Sequence, residues 1–275
     1  MSASTRPVVL VSWDGTSAPL AMIHLDAAPA FDWLLFDYSG RHAAGLCELR
    51  GQAGEVLSAA TECKGEIYQA LANHLHARGQ VPEYAALIDD DVLISVADIN
   101  RALHLARCEG LDVFSPVLSH DSFYTHRWSL QQPHRLFRDV DWVEVMMPFY
   151  RGQLLLAARE HLAGNVSSWG IDKYLMPTLQ QLLNQPRTAL VDAVAASHRR
   201  PITSGMKRYR NGKTAGEERD AMKARCKALI EERAPQLIGS AWYRRVFEQR
   251  HVRTGWQRLC AGLGRPIRRW LEQST

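Results

Sequence analysis

At 275 residues, 46% hydrophobic and 23% charged, the chain has the composition of an ordinary globular protein: one large domain, or one domain with an appendage. Its uncharged apolar runs fall far short of the roughly 18 residues that span a bilayer, and its five scattered cysteines form no CxxC pair, which removes zinc knuckles and dithiol redox motifs. The net charge of +4 hides an asymmetry: from Arg199 onward 19 Lys/Arg face 7 Asp/Glu, whereas the residues before it hold 14 against 22.

Met1 to Pro7 lead into an apolar run without the basic and apolar regions of a signal peptide, so the expected location is cytoplasmic. "PVVLVSW" (7–13) and "FDWLLFDY" (31–38) are of strand length and close on polar or turn residues. From Gly65 to Arg78, Ile67, Leu71 and Leu75 recur every four residues, which predicts a helix. The apolar run 84–88 is the next strand, and it drives straight into Asp89, Asp90 and Asp91. Ser95-Val96-Ala97-Asp98 is a capping-box pattern opening a helix that carries Ile99, Leu103 and Ala106.

"LDVFSPVL" (111–118) and "DWVEVMMPFY" (141–150) read as strands, and "GQLLLAAREHL" as a helix. Ser168 is placed to cap a helix through Ile171, Leu175, Leu179 and Leu182, kinked at Pro177, and "TALVDAVA" (188–195) is the last strand. Strands alternating with helices to about residue 198 predict an α/β domain with a mostly parallel sheet flanked by helices. The boundaries read from this texture are 1–203 for the domain and 204–275 for a basic, largely helical C-terminal extension, with helices over Asp220–Glu232 and from Ser240 onward.

Open α/β sheets bind ligands at the carboxyl ends of their strands, where Asp89 to Asp91 stand. On a continuing strand Asp89 and Asp91 would share a side. Two hard carboxylates there suit Mg²⁺ or Mn²⁺, which takes its other ligands from water and substrate phosphates. A solvated acidic turn is the alternative reading. There is no GxGxxG or GxxxxGK[ST], and the adjacent Ser119-His120-Asp121 cannot form a hydrolase relay, whose members converge from separate places.

Downstream follow "SHDSFYTH" (119–126), "SLQQP" (129–133), "WVEVMMPFYRG" (142–152), "SSWGIDKY" (167–174) and "VDAVAASHRRPI" (191–202). With the aspartate triplet, and in this order, they resemble the glycosyltransferase-like proteins grouped as domain-of-unknown-function family 707, related to type A (GT-A fold) nucleotide-sugar transferases. The resemblance implies a metal-dependent hexosyltransferase-like enzyme of polysaccharide biosynthesis. It would move a sugar from a nucleotide-diphosphate donor to a glycan, lipid-linked or other hydroxyl acceptor. Asp89 and Asp91 would be the DxD pair and Asp90 a ribose or backbone contact. His198 would be a further metal ligand, which favours Mn²⁺ over Mg²⁺.

The same resemblance makes Asp172 the general base of an inverting transfer, and Trp13 and Asp14 neighbours of the nucleotide. Trp169 and Gly170 offer a sugar an aromatic face and a closely approaching backbone; the alternative is that Trp169 is a core residue and Asp172 a helix-start acid. His120, Asp121 and Ser122 suit sugar hydroxyls. Lys64 and Arg151 either neutralise the diphosphate or stand as solvated cations. Two other functions fit the same residues: metal-dependent phosphoryl or nucleotidyl transfer, and a catalytically inactive peripheral membrane or glycan-binding protein. The basic stripe from Trp256 to Leu271 suits an anionic membrane surface or docks on the acidic body; no motif points to nucleic acid.

Overall fold

The computed structural model describes residues 6–49, 52–201 and 207–248, so the stripe from Trp256 to Leu271 lies outside the described residues. In chain order the strands are β1 (Val8–Trp13), β2 (Ile23–His24), β3 (Asp32–Asp37), β4 (Gly45–Leu49), β5 (Gln52–Ser58), β6 (Tyr84–Ile88), β7 (Val92–Ser95), β8 (Val113–Leu118), β9 (Arg138–Asp139), β10 (Phe149–Arg151) and β11 (Thr188–His198). The main helices are α1 (Lys64–Ala77), α2 (Val96–Glu109), α3 (Gly152–Leu162), α4 (Met176–Leu182) and α5 (Ala215–Arg233). No helix among the described residues is long and apolar enough to cross a membrane.

The strands form one sheet in the order β2-β7-β11-β8-β10-β6-β1-β3-β5-β4, with β9 paired to β11. Its centre, β6-β1-β3-β5, is parallel, as is β8 with β11; β10 runs antiparallel between β6 and β8. Every residue of β1 and β6 is buried because helices cover both faces, the condition under which parallel strands read as unbroken apolar runs. Alternation still sorts β1: Leu10 joins the core under α1 and α3, while Val9 and Val11 join the core under α2. Leu71 on α1 has no exposed surface, and its burial is worth about 1.5–3 kcal/mol.

Ser95 caps α2 as expected, its hydroxyl accepting from Asp98 N–H at 3.0 Å, and Gly110 ends that helix in the left-handed region (φ 63°). The helix expected from Asp220 begins earlier, at Ala215, behind a complete Thr214/Glu217 capping box. Its Met222, Cys226 and Ile230 are buried in the same core as α1, α3 and α4.

Three expected elements differ. Residues 141–148 are not strand; only Phe149–Arg151 is. Pro148 has no N–H to give a ladder, and the carbonyls of Met146 and Pro148 are taken by Asp89 N–H (3.0 Å) and Leu87 N–H (3.2 Å). Ser168 does not cap a helix, because its backbone is turned to φ 70°. Gly170 precedes a π-type turn (Ile171–Leu175), and Pro177 lies in the first turn of α4, which it starts without kinking. The β4–β5 hairpin and β7 were not expected; their mixed residues carry no clear alternation.

Candidate active site

The carboxyl ends of β1, β3, β6, β8 and β11 meet at one edge of the sheet. Strand β6 stops at Ile88, and Val92 N–H bonds Asp89 O at 3.1 Å, so the three aspartates occupy a turn and point to three different partners. The shared side expected for Asp89 and Asp91 requires a continuing strand, and the turn removes it.

Asp89 is ion-paired to Lys64 at 2.6 Å. The ammonium also donates to the carbonyls of Val145 and Met146, so it is held by three acceptors on two segments. Burial pushes the Asp89 carboxyl up to about 6, with Lys64 opposing. Asp90 accepts from the Tyr38 hydroxyl at 2.9 Å and from Arg200 at 3.2 Å, while its N–H donates to Ser12 Oγ at 3.0 Å. Asp90, expected to contact the ribose or a backbone group, thus ties β1, the end of β3 and the segment after β11 to the turn.

Asp91 faces His198. Antiparallel pairing of β7 with β11 sets Val92 opposite His198, and Arg199 N–H donates to Asp91 O at 2.9 Å. Asp91 Oδ1 lies 3.4 Å from His198 Nε2, an ion-pair distance without hydrogen-bond geometry, and this buried oxygen has no hydrogen-bond partner. His198 Nδ1 donates to Phe123 O at 2.8 Å. A carbonyl can only accept, so Nδ1 carries a proton and Nε2 is the nitrogen turned to Asp91. Metal-binding histidines are oriented in this way, by a hydrogen bond at the other nitrogen. Burial raises the Asp91 carboxyl, but His198 and Arg200 outweigh it and the net direction is down; Asp91 in turn lifts His198 against its own burial.

No group of three His, Cys, Asp or Glu side chains suited to a metal occurs among the described residues. The Asp91–His198 pair, with its orphaned buried oxygen, fits a divalent cation that draws the rest of its shell from water and phosphate. One oxygen of Asp89 is already taken by Lys64.

The second half of the site is the loop 165–172. Asn165 Oδ1 accepts from Ser168 N–H at 2.9 Å, and its amide donates to Trp169 O at 3.1 Å. From α5, the buried Glu218 carboxylate accepts from Val166 N–H (3.0 Å), Ser167 N–H (2.7 Å) and the Asn211 amide. Trp169 is 41% exposed, which a core residue would not be. Gly170 holds φ 90°, and a Cβ there would come within 2.9 Å of Met222 on α5. Asp172 follows, accepting from Lys173 N–H at 2.7 Å; burial pushes it up to about 6.

Glu144 faces the same region. Burial and then the charge of Asp172 push it up to about 8, and its Oε1 is buried with no hydrogen-bond partner. Both carboxyls are pushed in the same direction, Glu144 further than Asp172, so Asp172 is the more readily ionised of the two.

The other expected residues surround this centre. Ser122 Oγ accepts from His198 N–H at 3.2 Å, Asp121 pairs with Arg199 at 2.8 Å, and His120 contacts Gln131 O at 3.1 Å. Trp13 packs on His42 (4.2 Å between centroids), and Asp14 accepts from Thr16 and Ser17 N–H at 2.8 Å, which holds Asp14 well below the usual carboxylate range. Arg151 sits at the opposite edge, 3.8 Å from both Glu83 and Asp112 and over the Tyr84 ring, away from any diphosphate at the triplet.

Sequence reasoning missed Tyr38, Glu144, Arg200 and Glu218. A Thr-x-x-Glu pattern at 214–217 marked the start of α5, and with it the place of Glu218; the others had no local signal.

No protein-family model matches the sequence, and no curated protein matches it. Among solved structures, the fold is similar to S. aureus TarS 1–349 in complex with UDP-GlcNAc (TM-score 0.54, 10% identity, covering 98% of this chain and 79% of that one). It is similar also to TarS 1–349 alone (0.56, 12%, 98% and 78%) and in complex with UDP (0.55, 11%, 97% and 78%). At such identity the likeness is one of fold: a GT-A-like α/β architecture with a large sheet flanked by helices. It agrees with the fold expected from the resemblance and gives no support to the family 707 name.

Proposed function

We propose that the protein is a nucleotide-sugar glycosyltransferase with its donor diphosphate at the Asp89–Asp91 turn. The observation that carries this reading is the orphaned Asp91 oxygen facing His198 Nε2 at a strand-end edge, in a fold shared with a TarS fragment that binds UDP-GlcNAc. Asp91 and His198 would hold a divalent cation, Mn²⁺ before Mg²⁺ because of the imidazole. When bound, that cation would neutralise charge developing on the leaving diphosphate. Asp89 would complete the pair once Lys64 moves to the diphosphate, and Asp90 would keep the turn in shape for the ribose.

Trp169 and Gly170 would offer the transferred sugar an aromatic face beside an open backbone. Asp172 would accept the proton of the acceptor hydroxyl, whose oxygen would bond the anomeric carbon as the bond to the diphosphate breaks, with inversion. Trp13 and Asp14 would border the nucleotide, and His120, Asp121 and Ser122 the sugar or the acceptor, whether glycan, lipid-linked or another hydroxyl compound.

The test is the melting temperature with a panel of nucleotide sugars and Mn²⁺. Wild type should be raised by at least one donor only when metal is present, and Asp91→Asn should lose that rise. No shift with any donor in wild type would sink the reading.

A further inference from the structure

A cavity of about 490 Å³ lies between the start of β11, the first turns of α4 and the helical turns at 241–248, at the end of β11 opposite His198. Its volume falls within the range of about 300–1,000 Å³ usual for ligand sites. Pro177 and Pro186 give it stiff walls, Trp242 an aromatic ring, and Asp139, Gln181 and Thr188 polar groups. Its two arginines are engaged, Arg245 with Asp141 at 2.9 Å and Arg187 with Glu109 O at 2.6 Å.

That lining disfavours two ligand classes. An anion meets the Asp139 carboxylate and two arginines that each already give one nitrogen to a protein acceptor. A purely apolar ligand would leave carboxylate and amide groups without water or partner. A polyhydroxylated ring satisfies both conditions: its C–H face packs on an indole, and its hydroxyls donate to carboxylates and amides.

One stretch of chain links this cavity to the aspartate turn. Asp139 and Asp141 line the cavity. Trp142 meets Trp128 edge-on at 5.0 Å and His126 at 5.2 Å, a partly exposed aromatic cluster. Glu144 follows, within the field of Asp172, and Met146 O accepts from Asp89 N–H at 3.0 Å. The five steps along the chain from Asp141 to Met146 span at most about 18 Å. An acceptor a few sugars long covers that distance, passing the tryptophan pair on the way.

We propose that the Trp242 cavity is a distal acceptor subsite, holding one sugar of a neutral oligosaccharide whose reacting end lies at Asp172. The inference rests on the sugar-transfer reading above and identifies its acceptor as an oligomer. Its purpose follows from geometry: binding energy gathered away from the reacting bond positions a long acceptor and leaves a monosaccharide weakly held.

Full-length wild type, Trp242→Ala and Gln181→Ala are each titrated with an array of neutral oligosaccharides and their monosaccharides, followed by tryptophan fluorescence or calorimetry. The same samples are melted with the nucleotide-sugar panel and Mn²⁺. The expected result is an oligosaccharide that binds wild type, at least tenfold weaker binding in both variants, no comparable monosaccharide binding, and an unchanged nucleotide-sugar shift. Trp242 also packs on Phe247 (5.8 Å), so Gln181→Ala, which keeps that contact, separates lost binding from lost folding. The proposal is overturned if no oligosaccharide binds, or if both variants bind as wild type does. Oligosaccharide binding at Trp242 with no nucleotide-sugar shift would retain the glycan site and overturn the transfer reading instead.

Discussion

The two edges of the sheet differ in how completely their buried carboxylate oxygens are hydrogen-bonded. At the amino ends of β6 and β8, Glu83 is paired with Arg107 at 2.7 Å, and Arg151 is shared between Glu83 and Asp112. Every one of those groups finds its counter-charge within the protein. At the carboxyl ends, the Asp91 oxygen and the Glu144 oxygen are buried without hydrogen bonds; burial pushes Asp89, Asp172 and Glu144 upward there, as it does Asp112 at the other edge. Buried acceptors without a hydrogen bond cost stability, about 1–3 kcal/mol each. A fold carries such a cost where a ligand removes it, which is the ground for proposing the carboxyl edge as the site.

The contrast predicts a graded set of responses. Asp91→Asn has the largest effect on activity: transfer with the best donor falls by at least about a hundredfold, several kcal/mol of transition-state stabilisation, while the fold is little changed. Comparable turnover would remove Asp91 from the centre. Glu218→Ala comes next, because it strands the Val166 and Ser167 N–H groups and the Asn211 amide. A loss of about 3–5 kcal/mol, on the order of 10 °C in melting temperature, should accompany greater exposure of Trp169. A variant that melts with wild type would show that α5 does not hold the loop.

Glu144→Gln probes the buried carboxyl through pH. The folded-state value near 8 lies above the ordinary 4.5, so the folded protein holds a proton that the unfolded chain releases. That stabilisation is complete below about 4.5 and is lost as pH rises through about 8. An amide does not titrate, so the melting temperature of the variant should gain on wild type between pH 5 and 8.5. Parallel curves would mean that Glu144 is ionised at neutral pH. Arg107→Ala, at the satisfied edge, should change stability least, by under about 1 kcal/mol, because its pair with Glu83 is partly exposed.

Much of the scaffold was legible because burial writes itself into spacing. β1, β3 and β6 are short apolar runs, α1 carries Leu71 and Leu75 at helical spacing, and Ser95 with Asp98 announces α2. The same rules misread 141–148. Its residues are apolar enough for a strand, but its backbone partners are single carbonyl contacts to β6 and Lys64, and these are invisible locally. The segment carrying Glu144 and the aromatic pair Trp128–Trp142 is therefore where sequence reasoning was weakest.

By itself the sequence determined the alternation of strands and helices, the placing of three aspartates at a strand end, and the late histidine. Those are local properties, set by periodicity and by the order of residue types. Tertiary structure alone decided which carboxylate is spent and which is left open. Lys64 reaches Asp89 from α1, Arg200 and Tyr38 reach Asp90 from opposite ends of the chain, and β7–β11 pairing sets His198 before Asp91. Each of those contacts joins residues at least 25 positions apart. Charge compensation depends on distance in space, and no local pattern encodes it.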